Sequence, residues 1–281
     1  MAVLRIEYVV APDSAALAEV AAREFVEAAE AAVRRRGRAR IAISGGATPK
    51  AVFELLADPR HPWLRRMPWQ QIDLYWVDER CVPPDAAESN YRMTRETLLD
   101  PLAAEGVIID PERVHRMEGE LEPQVAAARY ESLLRNTFRL EGAEIPRFDI
   151  VALGMGEDGH TASIFPHTEA VDDRTNLVTA NRSPQAGDIS QASGSSQGDS
   201  WRITLTWPVL NQGSHVFFVI GGVGKAAVVR DVFGGPYDVH KLPSQLIWPA
   251  GGILTVILDQ AAASMLPPTG AEGRGQIERK R

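Results

Sequence analysis

The residues best equipped for chemistry lie in one loop, Asp158-Gly159-His160, which follows an apolar run from Ile150 to Leu153. The run is rich in β-branched residues and breaks into glycines, which predicts a buried parallel strand with the loop at its carboxyl end. Open α/β sheets bind ligands at that end. Imidazole titrates near neutral pH, so His160 is the strongest candidate for a general base, and Asp158 or Asp78 could orient it.

The same loop has the spacing of the dinucleotide-binding fingerprint, because Gly154, Gly156 and Gly159 follow the strand as G-x-G-x-x-G. That fingerprint needs a long helix whose N-terminus faces a pyrophosphate. Here Glu157 and Asp158 would direct negative charge at the ligand, and Pro166 would end the helix after about two turns. We therefore expect no nicotinamide cofactor.

A second candidate loop, Ser44-Gly45-Gly46-Ala47-Thr48-Pro49, stands between a short predicted strand and a helical pattern. Its two glycines let the backbone approach a ligand, Pro49 suits the first turn of a helix, and Ser44 and Thr48 add hydroxyls. These features are typical of a phosphate cradle, although strand-to-helix turns in general favour the same residue types. Lys225 begins another predicted helix beside Gly221-Gly222, where it could meet a phosphate.

Charged residues also follow a third strand, as Asp78-Glu79-Arg80. Arg80 could hold a substrate or stabilise negative charge. Cys81 is the only cysteine, which excludes an internal disulfide, and its apolar neighbours favour packing over a nucleophilic role. A metal site built from Asp158, His160 and His167 lacks any paired-histidine signature, so we expect no metal.

Strand and helix patterns alternate along the chain, which predicts an α/β fold with a Rossmann-like, mostly parallel sheet flanked by helices. We expect one domain over residues 1–266, a mobile surface loop over residues 183–200 and a disordered tail over residues 267–281. The predicted strands are 4–10, 40–43, 72–77, 150–153, 177–180, 201–206, 215–220 and 253–258. The predicted helices are 14–36, 89–99 and 121–140, together with one that begins near Pro49 and one that begins at Lys225.

The composition is that of an ordinary soluble protein, with 44% hydrophobic and 24% charged residues among 281. No apolar run approaches the roughly 20 residues of a membrane helix, and no signal pattern opens the chain, so we expect a cytoplasmic protein that binds no membrane. The formal net charge of -7 argues against nucleic acid as a partner. We expect a monomer or a small homo-oligomer.

Taken together, the motifs resemble the 6-phosphogluconolactonase family over nearly the whole stretch from Ser44 to Asp259. The matching blocks are 44–49, Asp78-Glu79-Arg80 with Pro83 and Ser89-Asn90-Tyr91, 154–166, 202–206, and Gly221-Gly222 with Lys225. Several ordered motifs together are far more specific than one. The resemblance implies the fold that this family shares with glucosamine-6-phosphate deaminase and ribose-5-phosphate isomerase.

The resemblance also implies an activity, the hydrolysis of 6-phosphogluconolactone to 6-phosphogluconate in the oxidative pentose phosphate pathway, without a cofactor. Its substrate is a phosphorylated sugar lactone. The implied catalytic residues are His160, Asp158, Asp78 and Arg80. The implied substrate and phosphate site comprises Ser44, Gly45, Gly46, Thr48, Asn90, Arg202 and Lys225. Whether Arg80 serves the carbonyl or the phosphate stays open.

Two other functions would suit a similar loop. A deaminase of the glucosamine-6-phosphate type follows its histidine with a segment that contains a glutamate, whereas Thr161 to Pro166 contains no acid. A sugar-phosphate sensor that does not catalyse would keep the cradle but lack the base, and His160 argues against it.

Overall fold

The computed structural model describes residues 3–184, 201–249, 251–267 and 274–280. The strands are β1 Val3–Ala11, β2 Ala39–Ile43, β3 Ile72–Trp76, β4 Asp78–Arg80, β5 Val114–His115, β6 Ile150–Leu153, β7 Val178–Arg182, β8 Trp201–Leu205, β9 His215–Ile220, β10 Ile253–Asp259 and β11 Arg274–Lys280. The helices are α1 Ser14–Arg36, α2 Ala47–Ala57, α3 Trp63–Arg66, α4 Asn90–Thr94, α5 Asp100–Ala104, α6 Pro123–Phe138, α7 Trp207–Leu210, α8 Ala226–Gly234 and α9 Gln260–Ala263. A π-helical turn, Arg95–Leu99, joins α4 to α5.

The larger sheet has eight strands in the order β11-β1-β10-β9-β6-β2-β3-β5. Its neighbouring strands are parallel except for the antiparallel pair of β1 and β11, which confirms the predicted α/β architecture. The two central neighbours β2 and β6 are followed by strands on opposite sides, β3 and β9. Their connections therefore diverge at the carboxyl ends and leave a crevice there, which is where such sheets bind ligands.

A smaller antiparallel sheet, β4-β8-β7, extends from the carboxyl end of β3. Val77 joins the two sheets, because its N–H donates to the carbonyl of Ile43 and its carbonyl accepts from the N–H of Leu205. The register places Asp78 opposite Thr204 and Arg80 opposite Arg202. The charged motif after β3 is thereby held beside the crevice as a strand instead of a loop.

The first helix shows how the local sequence determines an element of this fold. The side chain of Asp13 caps α1 by accepting from the N–H of Ala16 at 2.8 Å, and Gly37 ends it with a φ of 74°, a conformation that glycine adopts without strain. The buried face of α1 carries Phe25, which stacks on Phe217 of β9 with ring centroids 5.2 Å apart. The predicted helix is confirmed.

The end of the chain differs from the prediction of a disordered tail over residues 267–281. Residues 274–280 form β11, which pairs with residues 3–9 of β1. A polar sequence can add to a sheet because β1 would otherwise present a row of unpaired backbone groups at the edge. Most of the predicted loop 183–200, namely residues 185–200, lies outside the described residues. Among the helices of the described ranges, none has the length and hydropathy to cross a membrane.

Candidate active site

A cavity of about 400 Å³ lies at the carboxyl ends of β2, β6 and β9, beside β4. It is where the sheet topology places the crevice. Nine of the eleven site residues predicted above line it, namely Ser44, Gly45, Gly46, Thr48, Asp78, Arg80, Asn90, His160 and Lys225. The other two adjoin lining residues, since Asp158 contacts His160 and Arg202 pairs with Arg80 across two strands.

The imidazole of His160 is held from one side by Asp158. Its Nδ1 lies 2.5 Å from Oδ1 of Asp158, and the backbone N–H of His160 donates to the same oxygen at 3.1 Å. The ring also packs against Phe165, with centroids 4.7 Å apart. A carboxylate at Nδ1 favours the tautomer that carries its proton there, so Nε2 is the ring nitrogen with a free lone pair.

Gly156 makes room for this pair. A Cβ atom at residue 156 would overlap with the ring of His160 and with Oδ1 of Asp158. In the fingerprint G-x-G-x-x-G, this glycine would let the backbone approach a pyrophosphate. Here it lets the side chains of His160 and Asp158 approach the backbone instead.

Asp158 is ionised despite its partial burial. Burial raises the pKa of its carboxyl, but the hydrogen bonds and the charge of His160 outweigh that effect and hold the pKa below its usual value. A charged Asp158 stabilises the imidazolium that forms when His160 takes up a proton.

Asp78 lines the cavity, but its carboxylate bonds to Ser163 and Asn90 and not to His160. Its Oδ2 accepts from the hydroxyl of Ser163 at 2.6 Å, and its Oδ1 lies 3.5 Å from Nδ2 of Asn90. Asp78 is only 7% exposed. Of the two carboxylates that could orient His160 from sequence alone, Asp158 makes the contact, and Asp78 ties β4 to the loop of Ser163.

The glycine-rich turn after β2 forms one wall of the cavity. Ser44 is buried and donates from its hydroxyl to the carbonyl of Ala152 at 2.7 Å. Gly46 has a φ of 108° and precedes α2, whose N-terminus has no side-chain cap. Since Gly46 and Thr48 both line the cavity, the first N–H groups of α2 can meet an anion there.

Three cationic side chains stand at or beside the cavity. Arg80 and Arg202 lie directly opposite each other on β4 and β8, so that their side chains share one face of the small sheet. Burial, and next the positive charge of Arg80, lower the pKa of Arg202. Arg80 donates to the carbonyl of Glu88. Among the residues that the structure describes, the side chain of Lys225 forms no hydrogen bond or ion pair, and its backbone N–H donates to the carbonyl of Gly222.

Cys81 and Glu79 both lie near the site, but the sequence predicted a role for Cys81 only. Burial raises the pKa of the Cys81 thiol to about 12, which is consistent with the packing role predicted for it. Glu79 was assigned no role from sequence, although it is buried between two cavity residues and accepts four hydrogen bonds. The described residues contain no group of three or more His, Cys, Asp or Glu that could hold a metal ion.

Comparison with known proteins identifies the family. The profile of the family described as "Glucosamine-6-phosphate isomerases/6-phosphogluconolactonase" matches residues 12–256. A 6-phosphogluconolactonase of Nostoc sp. is 37% identical over 258 residues, which are 92% of this chain and 97% of that protein. One from Synechocystis sp. is 35% identical over 238 residues, which are 84% of this chain and 88% of that protein.

Solved structures agree with this result. The structure of 6-phosphogluconolactonase from Trypanosoma cruzi superposes with a TM-score of 0.75 at 30% identity, over 92% of this chain and 96% of that one. A monomeric glucosamine-6-phosphate deaminase superposes with a TM-score of 0.72 over 92% of this chain and 99% of that one, but its identity of 19% shows the fold alone. The chain belongs to the family of glucosamine-6-phosphate isomerases and 6-phosphogluconolactonases, as its motifs predicted, and it is an enzyme of that family.

Proposed function

We propose that this enzyme hydrolyses 6-phospho-D-glucono-1,5-lactone to 6-phospho-D-gluconate, with His160 as the general base. One observation carries the proposal: the Nδ1 of His160 is held by an ionised Asp158 while the ring lines a cavity with cationic side chains. A lactone carbonyl needs a base to activate water and positive charge for the oxyanion that develops. The names of the relatives support the same reaction.

The proposed reaction begins when Nε2 of His160 takes a proton from a water molecule as its oxygen attacks the lactone carbonyl. The tetrahedral intermediate carries a negative charge on the former carbonyl oxygen. When it collapses, the bond to the ring oxygen breaks and the imidazolium returns the proton to that oxygen. The products are a carboxylic acid and a hydroxyl group, and Asp158 stabilises the imidazolium between the two steps.

The phosphate of the substrate needs a local concentration of positive charge, because the chain as a whole has a formal net charge of -7. We propose that it binds to the turn of Ser44, Gly45, Gly46 and Thr48, with Lys225 beside it. Arg80 and Arg202 oppose each other across β4 and β8, an arrangement of like charges that an anion between them would stabilise. That anion is the phosphate or the oxyanion.

The same activity leads to two further proposals about the setting of the enzyme. It would act in the oxidative pentose phosphate pathway, between the dehydrogenase that produces the lactone and the one that consumes the acid. We also propose the cytoplasm as its compartment.

The test is the disappearance of freshly generated 6-phosphogluconolactone, corrected for spontaneous hydrolysis, with metals chelated. We expect the wild type to accelerate hydrolysis and His160→Ala to lose at least about a hundredfold in kcat, while both bind 6-phosphogluconate in titration calorimetry. His61→Ala is the matched control, since His61 contacts Glu19 outside the cavity, and it should retain full activity. Sugar-phosphate binding without any acceleration by the wild type would contradict the lactonase proposal and favour a sensor.

A further inference from the structure

The carboxylate of Glu79 is buried next to the cavity and has no role in the proposed mechanism. It stands on β4 between Asp78 and Arg80, both of which line the cavity. Successive side chains of a strand point to opposite faces, so Glu79 faces away from the cavity. Glu79 is only 2% exposed. A charged group in such a place is destabilising unless hydrogen bonds compensate for the lost water.

The carboxylate of Glu79 receives four hydrogen bonds, two on each oxygen. Its Oε1 accepts from the backbone N–H groups of Arg80 and Asn90, each at 2.7 Å. Its Oε2 accepts from the N–H of Tyr91 at 2.8 Å and from the hydroxyl of Ser89 at 3.1 Å. Burial raises the pKa of this carboxyl above its usual value, and the three backbone bonds offset that effect only in part. All four donors come from β4 itself or from the start of α4.

These bonds fix the position of Asn90, the first residue of α4. The side chain of Asn90 enters the gap between two walls of the cavity, where its Nδ2 donates to the carbonyl of Asp78 at 2.9 Å. On its other side it packs so closely on Gly45 that a Cβ atom at residue 45 would overlap with its amide. Asn90 therefore sets the spacing between β4 and the glycine-rich turn.

We propose that Glu79 is a positioning residue, which acts on the substrate through Asn90 and the backbone of Arg80. This inference deepens the proposed function and rests on it for the reaction that is measured. Glu79 holds the start of α4 against β4. Asn90 packs on Gly45 and so fixes the distance from α4 to the turn that would bind the phosphate. Displacement of these groups by less than an ångström would misalign the carbonyl and the phosphate of one substrate molecule.

The informative substitution is Glu79→Gln, because glutamine has the same shape but offers N–H donors where one carboxylate oxygen accepts two hydrogen bonds. Two of the four bonds are then lost. We expect kcat/KM for the lactone to fall about ten- to a hundredfold and the Kd of 6-phosphogluconate to rise at least severalfold.

Glu131→Gln is the matched control. Glu131 also accepts a backbone hydrogen bond, from the N–H of Leu177 at 2.9 Å, but it does not line the cavity of His160. A loss of stability without a loss of activity is expected for this variant.

A double-mutant cycle with Asn90→Ala separates positioning from general stability. If Glu79 acts through Asn90, the effect of Glu79→Gln on kcat/KM shrinks to a few-fold in the Asn90→Ala background, because one of its two routes is already removed. The inference would be overturned if Glu79→Gln lowered kcat/KM by the same factor in the wild-type and in the Asn90→Ala background. It would also be overturned if the Glu79→Gln enzyme were folded and its kcat/KM lay within twofold of the wild-type value. A wild type that binds 6-phosphogluconate but does not hydrolyse the lactone would refute the proposed function alone, because the cycle can then be measured on the Kd.

Discussion

The contact between Asp158 and His160 gives the sharpest test of the proposed base. Asp158→Asn keeps the size of the side chain but removes its charge. The amide oxygen can still accept from Nδ1 and from the backbone N–H of His160, but the imidazolium that forms during the reaction loses the negative charge that stabilises it. We expect kcat for lactone hydrolysis to fall while 6-phosphogluconate still binds, since Asp158 does not line the cavity.

The size of the effect follows from the geometry of the pair. Hydrogen bonds to a charged group contribute about 1.5–3 kcal/mol, and each factor of ten in rate corresponds to about 1.4 kcal/mol. The Nδ1 to Oδ1 distance of 2.5 Å favours a strong bond, but the two side chains are 25% and 26% exposed, so water screens part of it. We therefore expect a decrease of about ten- to a hundredfold.

The assay compares kcat of the two enzymes after subtraction of spontaneous hydrolysis. Asp172→Asn is the matched control, because Oδ1 of Asp172 lies 3.7 Å from Nε2 of His240 in an exposed pair outside the cavity. It should leave kcat unchanged. An Asp158→Asn enzyme within twofold of the wild type would show that the rate does not depend on an orienting charge at Nδ1, and the proposed role of the pair would be refuted.

Two further predictions concern the loop of His160 and the far end of the sheet. Gly156→Ala should lower kcat at least tenfold with little loss of global stability, because the new Cβ atom would displace the ring of His160; a fully active variant, measured by the same assay, would contradict the close packing described above. Burial lowers the pKa of His215 from 6.5 to about 4, so between these pH values the unfolded chain binds a proton that the folded protein does not, and the free energy of unfolding falls on acidification by up to about 3 kcal/mol. His215→Gln should remove that part of the decrease, which urea unfolding at pH 7 and pH 5 measures. An equal decrease in the variant and in the wild type would refute the assignment of the effect to His215.

Local patterns were sufficient for the parts of the site that lie within one segment. Asp158 and His160 stand two positions apart in a loop after a buried strand, so both could be placed at the carboxyl end of that strand without knowledge of the rest of the chain. The glycine-rich turn before α2 was predictable for the same reason. A parallel sheet brings the carboxyl ends of its strands to one edge, which is why separate loops could be expected at one cavity.

The remaining contacts depend on pairings between distant segments. The hydroxyl of Ser163 meets Asp78 across 85 positions, and Arg202 faces Arg80 only because β8 pairs with β4 in one register. A shift of one residue in that register would turn the side chain of Arg202 to the other face. The same reason explains why β11 was predicted as a disordered tail, since its partner β1 lies at the other end of the chain.

The sequence by itself determined the α/β class, the family and the loop that carries Asp158 and His160, because these depend on local periodicity and on residues close together in the chain. Only the tertiary structure decided which carboxylate orients the histidine, and it assigned Asp78 to Ser163 instead. It also decided that Glu79 anchors Asn90. Those contacts result from strand order and register, which the long-range packing of the whole core selects and no short segment encodes.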